Sequence, residues 1–119
     1  MMSPTLILEN GQVIAGLGSA GSNRIRSAVL QTTLNLLDGV GPQIAVDAPR
    51  IHLEAGLLQA EPGVDEDALA RIEAGGQKVF RWGERNLFFG GVQIVTRNPA
   101  DGGLDGAGDP RRGGAVAYG

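Results

Sequence analysis

The chain has 119 residues, a hydrophobic share of 42% and an aromatic share of 4%, so it can form one domain with an aliphatic core. Its net charge of −3 argues against a nucleic-acid partner, because phosphates require a basic face. The sequence has no cysteine and one histidine, which excludes disulfides, thiolate chemistry and a zinc site made of several histidines.

The first predicted elements are a β-hairpin and a helix. Strands at Thr5–Leu8 and Gln12–Leu17 flank Asn10-Gly11, a dipeptide that provides the two positive φ angles of a type I′ turn. Apolar residues then recur at helical spacing from Asn23 to Leu37, and Asp38-Gly39 gives a C-terminal cap. The apolar positions expected to form the buried face of this helix are Ile25, Val29, Leu30, Leu34 and Leu37.

The rest of the chain is predicted to alternate short helices and strands. A short helix covers Gln43–Ala48, strands Arg50–Glu54 and Leu57–Glu61 follow, and a second main helix covers Val64–Ala74 with acidic residues at its N-terminal end. The remaining strands expected are Lys78–Trp82, Gly90–Arg97 and Leu104–Ala107. Residues 108–119 are glycine-rich and are expected to form an irregular tail. This pattern favours an α+β domain of mostly antiparallel strands with two main helices.

The segment Gly16–Gly21 fits G-x-G-x-x-G, the phosphate-binding pattern of dinucleotide folds. That fold needs a parallel βαβ unit, whereas here the preceding strand belongs to a hairpin and Asp38 ends a helix. A nucleotide site is therefore disfavoured. Residues 18–23 still lead from a strand into a helix N-terminus, whose free N–H groups suit a carboxylate, a phosphate or a transient oxyanion. The alternative is that Ser22 or Asn23 simply caps the helix.

No part of the sequence indicates membrane insertion or export. The apolar runs are far shorter than the ~20 residues of a membrane-spanning helix. The N-terminal MMSPTLIL has no basic region of the kind that begins a signal peptide. We therefore expect no membrane partner, and a cytoplasmic location if the chain is expressed as it stands.

Several segments, in order, resemble signatures of the C-terminal part of the small subunit of γ-glutamyltranspeptidases. Met2–Leu8 resembles the family's M-S-P-T-hydrophobic strand, and Gly18–Ile25 resembles its G-S-P-G-G-S-R-I loop. Asp47–Arg50 and Gly106–Gly114 match its later signatures. The resemblance covers essentially the whole chain, so residues 1–119 are expected to be a single domain that corresponds to this C-terminal portion.

The resemblance implies part of the αββα sandwich of N-terminal-nucleophile hydrolases, with γ-glutamyl substrates such as glutathione and no cofactor or metal. In that family a precursor cuts itself, and the freed N-terminal threonine attacks the γ-glutamyl amide. The γ-glutamyl group then passes to water or to an acceptor amine. Gly21 matches the first glycine of the family's G-G pair and Ser22 stands at the second, so their backbone N–H groups would form the oxyanion hole. Ala20 replaces the usual proline.

The resemblance also implies that part of the active site lies outside this chain. The family's threonine is far upstream of M-S-P-T, and the serine pair before that motif is lost because Met1 precedes Met2. We therefore expect the chain to be inactive alone and to require the remainder of the enzyme as its partner. The alternative is a non-catalytic partner or relic domain that associates with another subunit or forms a homodimer.

None of the other nucleophilic side chains has the surroundings of a catalytic group. Thr5 lies in a predicted strand, while Thr32 and Thr33 lie within a helix and have no free α-amine. His52 with Asp47 lacks a serine on a recognisable sharp turn. These residues are expected to have structural roles.

The arginines next to the motifs are also expected to be structural. Arg24, which matches an arginine of the family loop, should make an ion pair or a carbonyl contact, and Arg111 and Arg112 should fix the tail. Aromatic side chains are expected to fill the sandwich, although surfaces that meet the missing part of the enzyme would be apolar and exposed. The aromatic residues concerned are Phe80, Trp82, Phe88 and Phe89.

Overall fold

The computed structural model describes residues 3–118, so the predictions that involve Met1, Met2 and Gly119 lie outside the described residues. The helices are α1 (Ile25–Leu37), α2 (Pro42–Asp47) and α3 (Glu66–Ala74), and the strands are β1 (Thr5–Glu9), β2 (Gln12–Ala20), β3 (Ile51–Glu54), β4 (Leu57–Ala60), β5 (Lys78–Arg81), β6 (Gly91–Arg97) and β7 (Leu104–Gly108). Each predicted helix and strand is present. The largest difference between a predicted and an observed boundary is at the end of β2, which continues to Ala20 instead of stopping at Leu17.

Four strands form an antiparallel sheet in the order β1-β2-β6-β7. The predicted hairpin joins β1 and β2, with φ of +51° at Asn10 and +77° at Gly11. Strand β2 continues alongside β6 as far as the pair Ala20↔Gly91. The strand before the glycine loop therefore lies inside an antiparallel sheet, which does not provide the parallel βαβ unit of a dinucleotide site.

Helices α1 and α2 pack on one face of this sheet over an aliphatic core. The buried side chains of that core are Ala15, Leu17, Ala28, Val46, Val92, Ile94 and Ala107. The expected buried face of α1 is partly wrong: Leu30, Leu34 and Leu37 are exposed, because the side of α1 that faces the sheet carries Ala28 and Thr32. No helix within residues 3–118 is long and apolar enough to cross a membrane.

A second sheet of three strands, in the order β3-β4-β5, packs against α3. Strands β3 and β4 are antiparallel about Ala55 and Gly56, whereas β4 and β5 are parallel and are joined through α3. Leu58 and Leu69 are buried between the sheet and this helix. The small sheet matters for the site because its first strand, β3, reaches the loop at the end of β2.

The aromatic residues do not fill the core as expected. Phe89 is buried and Phe80 is 53% exposed. The half-buried Trp82 stacks on Phe88, with 5.0 Å between their ring centres. Phe88 and Phe89 lie in a short 3₁₀ turn, Leu87–Phe89, from which only Phe89 is buried, whereas Phe80 lies on β5, the edge strand of the small sheet.

Candidate functional site

The candidate site is the exposed loop between β2 and α1, formed by residues 21–24. Gly21 has a φ of +136°, a conformation that side chains rarely adopt, and it takes the chain out of the sheet. Within residues 3–118, the N–H groups of Gly21, Ser22 and Asn23 donate to no acceptor, whereas the Ser22 carbonyl accepts from Ile25 N at 3.1 Å. Three exposed donors therefore lie just before the positive end of α1.

The alternative role of this segment, as a simple helix cap, is not observed. The residue at the N-cap position of α1 is Arg24, and no side chain caps the helix there. Ser22 and Asn23 precede that position, so their side chains lie too early in the chain to accept from the first helical N–H groups. The capping interpretation of Ser22 and Asn23 was therefore wrong.

The start of the loop is fixed against the first residues of β6. The Ser19 hydroxyl donates to the Ala20 carbonyl at 2.9 Å and accepts from Gly91 N at 3.2 Å. A β-carbon at Gly90 would lie 2.9 Å from Ser19 Oγ and 3.0 Å from Ala28 Cβ, and the φ of Gly90 is +93°. Glycine is required at position 90 because the end of β2, the start of β6 and α1 meet there.

The far end of the loop is attached by two side chains. Asn23 Nδ2 donates to Glu54 Oε1 on β3 at 2.8 Å. Arg24 Nε donates to the Phe88 carbonyl at 3.0 Å, and its guanidinium lies 4.3 Å from the centre of the Phe88 ring. The predicted carbonyl contact of Arg24 is confirmed.

His52 connects β3 with α1 directly beneath the loop. Its side chain is buried, with Nδ1 2.7 Å from Ser27 Oγ and Nε2 3.2 Å from Glu54 Oε2. An ionised carboxylate only accepts hydrogen bonds, so Nε2 carries the proton and Nδ1 of a neutral imidazole accepts from the Ser27 hydroxyl. Hydrogen bonds from His52 and Asn23 also hold the pKa of Glu54 below its ordinary value.

The structural roles expected for His52 and Asp47 are separate, because Asp47 does not hydrogen-bond His52 within residues 3–118. Its Oδ1 accepts from Gln43 Nε2 at 2.9 Å instead. Glu54 could have been found in the sequence, because it lies two residues from His52 and therefore on the same face of β3. Ser27 comes from a different element and carried no such signal. It lies within α1 rather than on a sharp turn that exposes a nucleophile, so the Ser–His–Glu contacts are structural.

The threonines that were expected to have structural roles lie on a helix and a strand. Thr32 is fully buried in α1 and Thr33 is half-buried beside it. Thr5 is in β1, where its hydroxyl donates to the Ser3 carbonyl at 3.0 Å. These hydroxyls lie on regular elements away from the exposed donors of the loop.

Four buried charged side chains attach the C-terminal segment to the residues that follow α2 and β4. Arg111 pairs with Glu61 at 2.6 Å and with Asp109 at 3.1 Å, and Arg50 pairs with Asp109 at 2.9 Å. Asp109 Oδ2 also accepts from Val92 N at 2.8 Å, which fixes β6 next to the loop. The prediction that Arg111 fixes the tail is confirmed.

The second arginine of the tail, Arg112, is not part of this network. It is exposed, and its side chain lies across Gly91, where an added β-carbon would overlap it. It lines a cleft on the open face of the main sheet, together with the backbone of Gly18–Ala20. The positive charge of Arg112 therefore lies beside the end of β2, on the opposite side of the sheet from α1.

The gamma-glutamyltranspeptidase family model matches residues 1–119 of the chain. The chain is 38% identical, over 113 residues, to the glutathione hydrolase proenzyme of Escherichia coli (strain K12), covering 92% of this chain and 19% of that protein. Two crystal structures are similar in fold. The cephalosporin acylase from Bacillus halodurans gives a TM-score of 0.88 at 32% identity, covering 96% of this chain and 22% of that one. The transpeptidase CapD from Bacillus anthracis gives a TM-score of 0.83 at 28% identity, covering 99% of this chain and 70% of that one.

These similarities confirm the predicted fold class, an α+β part of the N-terminal-nucleophile hydrolase sandwich with mostly antiparallel strands. The chain spans about a fifth of the length of the E. coli relative that it matches. The matched part includes the exposed loop, its anchors and the buried charges beneath it. The chain belongs to the γ-glutamyltranspeptidase family.

Proposed function

We propose that the chain is the C-terminal segment of the small subunit of a γ-glutamyltranspeptidase-like enzyme, and that its Gly21–Ser22 loop forms the oxyanion hole. The observation that carries this proposal is the set of exposed N–H groups at Gly21, Ser22 and Asn23, which have no acceptor within residues 3–118. They precede a helix of 13 residues, whose N-terminal end favours negative charge.

The proposed role follows from the charge that develops during acyl transfer. Attack on a γ-glutamyl amide places negative charge on the carbonyl oxygen, and fixed N–H donors lower the energy of that state. Serine at position 22 keeps the backbone donor that a second glycine would provide. The locked start of the loop at Ser19 and Gly90 keeps these donors in place without reorganisation during the reaction.

The nucleophile of this reaction is supplied by a part of the enzyme outside this chain. It is an N-terminal threonine whose own α-amine accepts the hydroxyl proton, and the reaction requires neither a metal nor an organic cofactor. Thr32 and Thr33 lie within α1 and lack such an amine. Substrates of the complete enzyme are γ-glutamyl compounds such as glutathione.

We propose that the open face of the main sheet packs against the remainder of the enzyme. Leu6, Val95 and Leu104 on this face are 64%, 57% and 67% exposed. A sheet face of this composition is ordinarily buried against another layer. The same face supports the alternative function, a non-catalytic partner or relic domain that binds another subunit or a second copy of this chain.

The purified chain is expected to show no turnover of γ-glutamyl-p-nitroanilide, because it lacks the nucleophile. Release of p-nitroaniline is measured by absorbance, with the E. coli glutathione hydrolase as positive control and the Gly21→Pro chain as background. Turnover by the chain above that background would show that a nucleophile is present within these residues. It would overturn the proposed division of the active site.

A further inference from the structure

We propose that Glu54, oriented by His52, is a positioning residue for the oxyanion loop. The inference rests on the proposed function of Gly21 and Ser22. Asn23 follows these residues directly, and its hydrogen bond to Glu54 Oε1, at 2.8 Å, ties the loop to β3. Within residues 3–118, Gly21 and Ser22 make no side-chain hydrogen bond, and the far end of the loop is held by Asn23 and by Arg24, whose Nε donates to the Phe88 carbonyl. Asn23 is the nearer of these two anchors to the N–H groups of Gly21 and Ser22.

The two oxygens of Glu54 have separate partners. Oε1 accepts from Asn23, and Oε2 accepts from His52 Nε2 at 3.2 Å. Because one oxygen is held by a buried ring, the other cannot rotate away from the loop without breaking that bond. His52 thus determines the orientation of a carboxylate that is itself 35% exposed.

His52 is fixed in turn by α1 and by the aromatic cluster. Ser27 Oγ lies 2.7 Å from Nδ1, and the edge of the ring faces Phe88 with 6.3 Å between ring centres. The contacts therefore close a ring that runs from Asn23 through Glu54 and His52 to Ser27, in the first turn of α1. This ring spans the junction at which the loop becomes the helix.

These contacts affect the direction of the donors more than the stability of the fold. The hydrogen bond between Asn23 and Glu54 lies at the surface and contributes little to the free energy of unfolding, and Arg26, 3.8 Å from Glu54 and largely exposed, adds little more. The bond from the buried His52 to Glu54 contributes more, because its loss leaves Nε2–H without an acceptor. Charge stabilisation, by contrast, depends on donor positions at the scale of about 1 Å. Loss of Glu54 should therefore loosen the loop while the fold remains intact.

The experiment measures backbone ¹⁵N order parameters of Gly21 and Ser22 in the full chain. We expect values near 0.85 in the wild type, and below about 0.6 in both Glu54→Ala and Asn23→Ala. The double variant should be no more mobile than either single variant, because both remove the same contact. The Tm of Asn23→Ala should stay within a few degrees of the wild type. Glu54→Ala and the double variant should have a lower Tm, because they also leave the buried Nε2–H of His52 without its acceptor, but all three should be folded at the temperature of the measurement.

Two controls separate positioning from a general effect of substitution. In Glu54→Gln the side-chain amide oxygen can still accept from Asn23, but its NH2 group then faces His52 Nε2. It can donate there only if the ring moves its proton to Nδ1 and donates to Ser27. We therefore expect the order parameters to recover together with this change of tautomer. Asp47→Ala removes a carboxylate that binds Gln43 and should leave the loop unchanged. In the wild type, imidazole ¹⁵N shifts should show the Nε2–H form of His52.

Wild-type order parameters in Glu54→Ala, or failure of Glu54→Gln to restore them, would overturn the positioning role. An Nδ1–H form of His52 in the wild type would overturn its part in orienting Glu54. None of these readouts involves catalysis. Failure of the oxyanion role would appear instead as normal turnover when the loop donor itself is removed, which is a separate measurement.

Discussion

Gly21→Pro should lower kcat for γ-glutamyl-p-nitroanilide by about 10²–10³-fold, because loss of one oxyanion-hole donor has an effect of that size. The measurement uses the E. coli glutathione hydrolase in which the matching segment is replaced by this chain. Proline lacks the N–H group and fixes φ near −65°, whereas Gly21 has a φ of +136°. The substitution therefore removes one donor and redirects the next.

Two further variants separate the donor from the backbone conformation. Gly21→Ala keeps the N–H group and has room for its β-carbon, which would lie 3.6 Å from Ile25 Cγ1, but it strains the positive φ. It should reduce kcat less than proline does. Gly76→Pro also replaces a glycine of positive φ, +98°, far from the loop, and should change stability without this loss of kcat. A folded Gly21→Pro enzyme with kcat close to that of the parent hybrid would contradict the oxyanion role.

Arg111→Ala should lower the free energy of unfolding by about 3–5 kcal/mol, the loss typical of breaking a buried ion pair. This substitution leaves Glu61 and Asp109 buried without one of their cationic partners, and it removes the hydrogen bond to the Val46 carbonyl at 2.8 Å. A loss of this size is a large fraction of the stability of an ordinary domain. Urea unfolding of the purified chain measures it.

Arg112→Ala is the matched control, since Arg112 is the same residue type, adjacent in the chain, exposed and outside the network. It should change the unfolding free energy by less than about 0.5 kcal/mol. Equal losses in the two variants would mean that the buried network does not hold the C-terminal segment. A small loss in Arg111→Ala would lead to the same conclusion.

The same network gives the stability a defined pH dependence. Burial alone would raise the pKa of Asp109, but the Arg50 guanidinium and the N–H groups of Val92 and Arg111 lower it below the ordinary 3.8. A carboxyl group with a lower pKa in the folded state stabilises the fold fully above its unfolded pKa. That contribution is lost as the pH falls through the folded value. In Asp109→Asn this part of the acid dependence should disappear, and an unchanged acid profile would contradict the assignment.

Local sequence signals predicted most of the fold. Asn10-Gly11 specified the hairpin through its backbone preference. The acidic residues after Val64 predicted the start of α3 to within two residues: the helix begins at Glu66, and the Asp65 carboxylate accepts from Asp67 N and Ala68 N. The extension of β2 to Ala20 was not predictable from local pattern, because it results from pairing with β6 far along the chain. The apolar spacing of α1 likewise gave no sign of which residues would face the sheet.

The candidate site, like the fold, was predicted from local signals and missed where it depends on long-range contacts. The loop could be predicted because its glycines and the residues that resemble the family's loop lie together in one short segment. Its anchors were missed because Ser27, His52 and Glu54 come from separate elements that only the fold brings together. The buried pairing of Arg50 with Asp109 was missed for the same reason. Long-range polar contacts leave little trace in a single sequence.

The most direct test of the oxyanion role is a crystal structure of the enzyme that contains this chain, with a γ-phosphono glutamate analogue bound at the active site. The phosphonyl oxygen of such an analogue occupies the position of the carbonyl oxygen under attack. We predict that the N–H groups of Gly21 and Ser22 lie about 2.7–3.1 Å from that oxygen. An analogue bound with this oxygen held by other groups, and with both N–H groups directed elsewhere, would contradict the account.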